Sequence, residues 1–167
     1  DNVWATFYGG SQSSTLEEGT KITVDGSNNV IFSGITHSTD FPYTAGAFQT
    51  AHAADVQDAI LVKLDPLGTR IWATYYGGNG PDMGHSVTID NNNDIFMGGY
   101  TRSNDLLNST GTFQPAFSGG QDAFITKFNS AGNNLWLSYF GGTGYENTYY
   151  GGICVDPSGN VAITGGT

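Results

Sequence analysis

An all-β architecture built from a repeated four-stranded sheet is what this sequence predicts, and three observations predict it. Glycine is abundant at 25 residues, charged residues make up only 12% and aromatic residues 13%. The helix formers Leu, Glu and Lys are scarce, while Thr, Val, Ile, Phe and Tyr recur in short runs, a mixture that favours strands and turns. The heptad WATYYGG at 72–78 has counterparts in WATFYGG at 4–10 and WLSYFGG at 136–142. A second pattern keeps step with it: ITVDGSNNVIFSGIT from Ile22, VTIDNNNDIFMGGYT from Val87 and ICVDPSGNVAITGGT from Ile153.

These landmarks recur at a period of about 65 residues, long enough for one supersecondary unit per repeat. Trp4, Trp72 and Trp136 mark one position, Asp25, Asp90 and Asp156 a second, and Gly34, Gly99 and Gly165 a third. Between them GAFQT (46–50) answers GTFQP (111–115), and QDAILVKLD (57–65) answers QDAFITKFN (121–129). In the second complete copy four strands are expected, at 85–90, 94–101, 122–128 and 134–142. Asn91–Asn93 joins the first two and NSAGN (129–133) the last two. Such short Asn/Asp/Gly/Ser loops are hairpin chemistry, because these residues accept positive φ or bond their own backbone. A long connector at 103–121 precedes the third strand. A repeated four-stranded antiparallel meander of this length is a blade of a β-propeller.

The aromatic heptad supports that architecture. Along a strand Trp72, Thr74 and Tyr76 face one way, and Ala73 and Tyr75 the other. Bulky side chains on both faces imply a sheet sandwiched between two neighbours. A buried ring contributes a few kcal/mol, at about 25 cal/mol per Å² of apolar surface. The closing Gly-Gly is expected where the chain turns away from the sheet and a Cβ would obstruct it.

The ordered series W-A-T-Y-Y-G-G, V-D-x-x-x-N-V-x-x-x-G, S-x-D-F-P, G-A-F-Q and D-A-x-x-x-K-L-D resembles the SBBP family of bacterial β-propeller repeats over essentially the whole chain. The second copy departs from it, with Leu106-Leu107 in place of Phe41-Pro42. The resemblance implies a many-bladed propeller in a large secreted or cell-surface bacterial protein, without an assigned catalytic role. With the VTID-type strand innermost, 1–10 is the outer strand of a preceding blade. Residues 19–78 and 83–142 form two full blades, and 150–167 holds the inner strands of a further one. Propellers generally need four or more blades to close, so this reading favours an incomplete propeller, a section of a longer chain, over a ring closed by several copies.

Charge narrows the partners. Five Lys and Arg against 15 Asp and Glu give a formal net charge of −10, which argues against nucleic acid and anionic membrane surfaces. No apolar run approaches the roughly 18–20 residues of a membrane-spanning helix. The single cysteine, Cys154, lies in the apolar stretch GGICVD and reads as a buried, inert thiol. Redox compartment stays open.

Candidate sites are few. An acid recurs just before each inner strand: Glu17 or Glu18, Asp82 and Glu146. In a closed ring these would lie near the axis on one face, able to hold calcium. The competing reading has each carboxylate accepting hydrogen bonds from loop amides. Asp58 and Asp122 read as structural in the same way, and Asp40 and Asp105 as ties for the long connector. The run DNNND at 90–94 resembles the start of a calcium loop but lacks its glycine and distal glutamate, so it reads as a hairpin. His37, His52 and His85 hold non-equivalent positions in the repeat, which argues against a zinc site. His85 reads as a solvated loop residue or as part of a central channel. GYENTYY (144–150) offers tyrosines for blade packing or for stacking on sugars, and Asn108-Ser109-Thr110 fits a glycosylation sequon.

The function expected is therefore a non-catalytic structural or binding module presenting loops to a protein or glycan partner, with no cofactor. One alternative is a carbohydrate-active propeller enzyme with carboxylates near the axis. The other is a cation-stabilised scaffold using the recurring acids. An enzyme should break the repeat symmetry with an acid pair or a histidine cluster, and here the acids follow the repeat.

Overall fold

In the computed structural model, residues 4–11, 16–53, 57–107, 111–148 and 151–167 are described. Ten strands are found among them and no helix. The first sheet holds β1 (Glu17–Val24), β2 (Val30–Thr36), β3 (Asp58–Leu64) and β4 (Arg70–Tyr76), in that order and antiparallel throughout. The second repeats it with β5 (Asp82–Ile89), β6 (Ile95–Thr101), β7 (Asp122–Phe128) and β8 (Asn134–Phe140). A two-stranded sheet follows, β9 (Ile153–Val155) with β10 (Val161–Ile163). These are propeller blades in an open array.

The register repeats in detail. β1 carries a bulge between Gly19 and Lys21 opposite Gly34, and β5 carries one between Gly84 and Ser86 opposite Gly99. The landmark glycines exist because of that crowding. A Cβ on Gly34 would stand 2.2 Å from the Glu18 carbonyl oxygen, on Gly99 1.8 Å from that of Met83, and on Gly165 2.3 Å from that of Asn147.

Short turns close one end of each sheet by a common device. The carboxylate or amide oxygen of Asp25, Asp65, Asp90, Asn129 and Asp156 accepts from the amides two and four residues on. The residue completing each turn has φ between 60° and 87°: Asn28, Gly68, Asn93, Gly132 and Gly159. Asn and Gly tolerate that left-handed region best.

The long connectors leave and return at the opposite end, and they drape over the outer edge. Thr44 N donates to Ala73 O and Tyr75 N to Gln49 O, and in the second sheet Tyr139 N donates to Gln114 O. Each outermost strand thus spends free backbone groups on its own connector, which blunts an edge that would otherwise pair with another chain.

Both faces of β4 are buried, as the alternation requires. Trp72 and Tyr76 join Ile31, Ala59 and Leu61 in a cluster completed by Val87, Met97, Phe124, Phe128, Leu137 and Tyr139 of the second sheet. Ala73 and Tyr75 point the other way, into a cluster with Phe41, Ile60, Val62 and Leu64 that Trp4 and Tyr8 cover. Residues 4–10 form no ladder, yet they lie on the first sheet as β4 lies on the second. Trp4 Nε1 donates to Pro66 O at 2.9 Å, and Trp72 Nε1 donates to the repeat-equivalent Ser130 O at 3.2 Å.

Candidate functional site

The acids singled out in the sequence collect at the end of the sheets where the long connectors begin. Each answers the Gly-Gly that closes the preceding outer strand. Gly10 N donates to Glu17 Oε1 at 3.2 Å, Gly78 N to Asp82 Oδ2 at 2.8 Å and Gly142 N to Glu146 Oε2 at 3.0 Å. Glu17 also accepts from Thr36 Oγ1 at 2.9 Å, and Asp82 from Ser103 Oγ at 2.7 Å. The carboxylates therefore staple each blade to the next. Glu18 takes no part, because strand alternation turns it to the other face, where it lies exposed in a shallow groove beside His85.

At the Gly-Gly pair a Cβ would be obstructed, as expected, and the obstruction comes from carboxylates rather than from a left-handed backbone. Neither Gly77 nor Gly78 has positive φ. A Cβ on Gly77 would meet Asp58 Oδ1 at 2.5 Å and Asp82 Oδ2 at 2.9 Å, and on Gly78 it would meet Asp105 Oδ1 at 2.2 Å. Close approach by carboxylates demands glycine here.

A second set of acids opens the third strands. Asp58 Oδ2 accepts from Ala53 N (2.9 Å) and Gln49 Nε2 (3.3 Å), while Gln49 Oε1 takes the amide of Gly77 (2.9 Å). Asp122, Ser118, Gln114 and Gly141 repeat the arrangement at 2.9, 3.1 and 3.0 Å. The glutamine of GAFQ and GTFQ is thus a two-ended tie between connector and outer strand, a role that sequence reasoning missed although its recurrence advertised it. Asp40 and Asp105 anchor the interblade loop that precedes their own sheet, accepting from the amides of Ser11 and Asn79.

Burial sets the electrostatics. Asp58, Asp82 and Asp122 are fully buried. Burial pushes Asp82 up to about 7, against hydrogen bonds that lower it, and the negative charge of Asp58 adds to the rise. Burial likewise raises Asp58 and Asp122. Asp25 behaves oppositely: burial raises it, but bonds from Asn29, Lys63 and Ser27 together bring it down to about 2. Its partner Lys63 is buried 2.9 Å away. In the DNNND turn Asp90 accepts from its own loop and, with Asp94, pairs with Lys127 at 3.4 and 2.8 Å. Among the described residues no group of three His, Cys, Asp or Glu side chains is arranged to hold a metal ion.

Histidines stand apart from one another. His37 bonds Gln57 at 2.9 Å and His52 packs edge-on to Tyr75. His85 occupies the β5 bulge, 6% exposed against Tyr100, so it is not a solvated loop residue. Burial lowers its pKa, opposed by the Thr148 backbone and the Glu18 charge. Cys154 corrects a further expectation: it is exposed, because β9 turns only Ile153 and Val155 toward the second sheet. Tyr145 is 64% exposed, with the Arg102 guanidinium 5.7 Å from its ring centroid. Tyr149, Tyr150 and the sequon at 108–110 lie outside the described residues.

Comparison with known proteins agrees with the fold. Residues 71–106, from β4 through β6 into the connector, match the SBBP beta-propeller repeat family. An uncharacterized WD repeat-containing protein of Acanthamoeba polyphaga mimivirus is 27% identical over 162 residues, a match covering 86% of this chain and 12% of that protein. The chain thus spans about an eighth of the length of this relative.

Proposed function

We propose, for a chain that carries a β-propeller repeat of the SBBP family, a non-catalytic scaffold that displays its long connectors to a macromolecular partner. One observation carries this reading: in every copy the recurrent acids that look chemical each use a carboxylate oxygen to hold an amide of a connector or interblade loop. Carboxylates committed to backbone amides in every copy fix loop shape rather than attack a substrate. Rigid sheets then present the described parts of two connectors, 37–53 and 102–107 with 111–121, along the outer rim. The likeness to a WD repeat-containing protein supports a binding module. A protein or glycan as partner, and a secreted or cell-surface bacterial setting, complete the proposal.

Glycan and protein arrays probed with the chain test it. Replacing the exposed connector residues Tyr43 and Leu107 by alanine should weaken binding, while Ser27→Ala in a short turn should not. Release of reducing ends from a polysaccharide would contradict the reading, as would equal losses from both ends of the sheets. Millimolar calcium should leave the melting midpoint unchanged, because a specifically bound ion would raise it by mass action.

A further inference from the structure

The residues that build the blade junctions recur from one repeat to the next. A concerted departure that leaves this framework intact therefore belongs to a surface the scaffold itself does not need. Where the first repeat has His37, Val56 and Pro81, the second has Arg102, Gly120 and Tyr145, three positions far apart in the sequence. The framework around them is unchanged: Gln57 O accepts from Asp82 N at 2.8 Å, and Gln121 O from Glu146 N at 2.9 Å. In the first repeat His37 Nε2 bonds Gln57 Oε1 at 2.9 Å. In the second, Arg102 Nε donates to Gln121 Oε1 at 3.1 Å, and the buried Gln121 donates from Nε2 to Glu146 O at 3.0 Å.

The three exchanged residues meet in space. A Cβ on Gly120 would stand 2.9 Å from Tyr145 Cζ, so glycine is what admits the ring here. The ring remains largely exposed beside the Arg102 guanidinium. Arg102 is exposed as well, and among the described residues it forms no ion pair. Other basic side chains are engaged: Lys63 pairs with Asp25, Lys127 with Asp90 and Asp94, and Arg70 Nη1 donates to Pro42 O and Tyr8 OH. Gln121 holds the Arg102 guanidinium at Nε, which leaves its two terminal amino groups for a planar, two-oxygen acceptor.

We infer that Arg102 and Tyr145 form a binding site for a uronic acid, the guanidinium receiving its carboxylate and the tyrosine ring the apolar face of the sugar. The inference rests on the proposed binding function and names a glycan as the partner at this place. Spent amides disfavour a peptide. Arg102 N donates to Pro81 O, Gly120 N and Gln121 N to Gly144 O, and Glu146 N to Gln121 O. An extended peptide finds no backbone to pair with there, whereas a sugar needs none. The net charge of −10 opposes a polyanion, so the site suits an isolated carboxylate on an otherwise neutral glycan.

Methyl β-glucuronide and methyl β-glucoside, which differ only in carrying a carboxylate or a hydroxymethyl group, probe the site directly. In NMR titrations of the chain the glucuronide should saturably shift the Arg102 Nε–H and the Gln121 and Tyr145 amides, and the glucoside should not. Arg102→Gln should weaken the response by about tenfold or more, the effect of losing a charge-assisted pair. Tyr145→Ala should weaken it several-fold, and Tyr145→Phe should retain it. Lys21→Gln removes the same charge from another exposed position and should leave it unchanged. The comparison of the two sugars needs no substitution and stands even if a variant unfolds. Equal responses to both sugars, or equal losses in Arg102→Gln and Lys21→Gln, would overturn the inference. So would a glutamate-rich peptide that shifts the same resonances at lower concentration, which would assign the site to a protein partner. Silence towards the glucuronide alongside a partner found on the arrays overturns the inference alone; silence in both removes the proposed function with it.

Discussion

At the scale of single residues, a carbonyl or a carboxylate pressed against a glycine explains most of the invariances within the repeat. Gly99→Ala puts a Cβ 1.8 Å from a backbone oxygen on the neighbouring strand, an overpacking that costs about 1–3 kcal/mol or more. Gly19→Ala, with nothing within 4 Å of its Cβ, should be tolerated, and thermal melts of the two variants check the contrast. The buried acids give a pH signature. Asp82 rises on folding from 3.8 to about 7, so the folded chain holds a proton that the unfolded chain releases. Stability should therefore fall as pH rises through that window. Asp58 and Asp122 act in the same direction. Asp25, depressed to about 2, gives the opposite arm, losing stability as pH drops below its ordinary value. Asp82→Asn should flatten the decline of the melting midpoint between about pH 4 and pH 7; a decline of unchanged slope would remove Asp82 from the account.

At the scale of elements, the Asp-led turns are alike in geometry and differ in what surrounds them. Asp25 holds its turn and also neutralises the buried Lys63 ammonium, so Asp25→Ala strands a charge and should cost about 3–5 kcal/mol. Asp156 makes the same turn bonds in solvent, and Asp156→Ala should change the denaturant midpoint far less. The turns were legible in the sequence because their bonds are local: an Asp with Asn or Gly three residues on is enough. Strand positions were legible for the same reason, with alternating aromatics marking both faces. Glu17 and Glu18 were not separable, because one residue of register decides which face of β1 a side chain takes. The role of Gln49 and Gln114 was hidden too, since their partners lie in other elements, and so was the connectors' covering of the β4 and β8 edges.

At the scale of the whole molecule, the blade is a unit that finishes only when its neighbour arrives. The repeated tryptophans show this: Trp4 and Trp72 each donate to a turn of the following sheet, whereas Trp136 packs edge-on to Phe96 of its own. Cys154 shows the limit of such reading. An apolar flank suggested burial, but burial at that position depends on a neighbour that local sequence does not describe. The stapling acids illustrate the same dependence in polar form: each recurs because each blade-to-blade passage recurs, and calcium is not needed to explain the pattern.

The central claim is that the first two sheets lie face to face as successive blades, with Ala59 of one against Gly84 of the next. An ideal Cβ on Gly84 lies 3.5 Å from that of Ala59, within reach of a disulfide. In a Cys154→Ser background, the pair Ala59→Cys and Gly84→Cys should oxidise to an intrachain bond in the monomer, detected by mass spectrometry of the linked peptides. Two thiols that both alkylate freely under the same oxidant would place the sheets elsewhere and contradict the account.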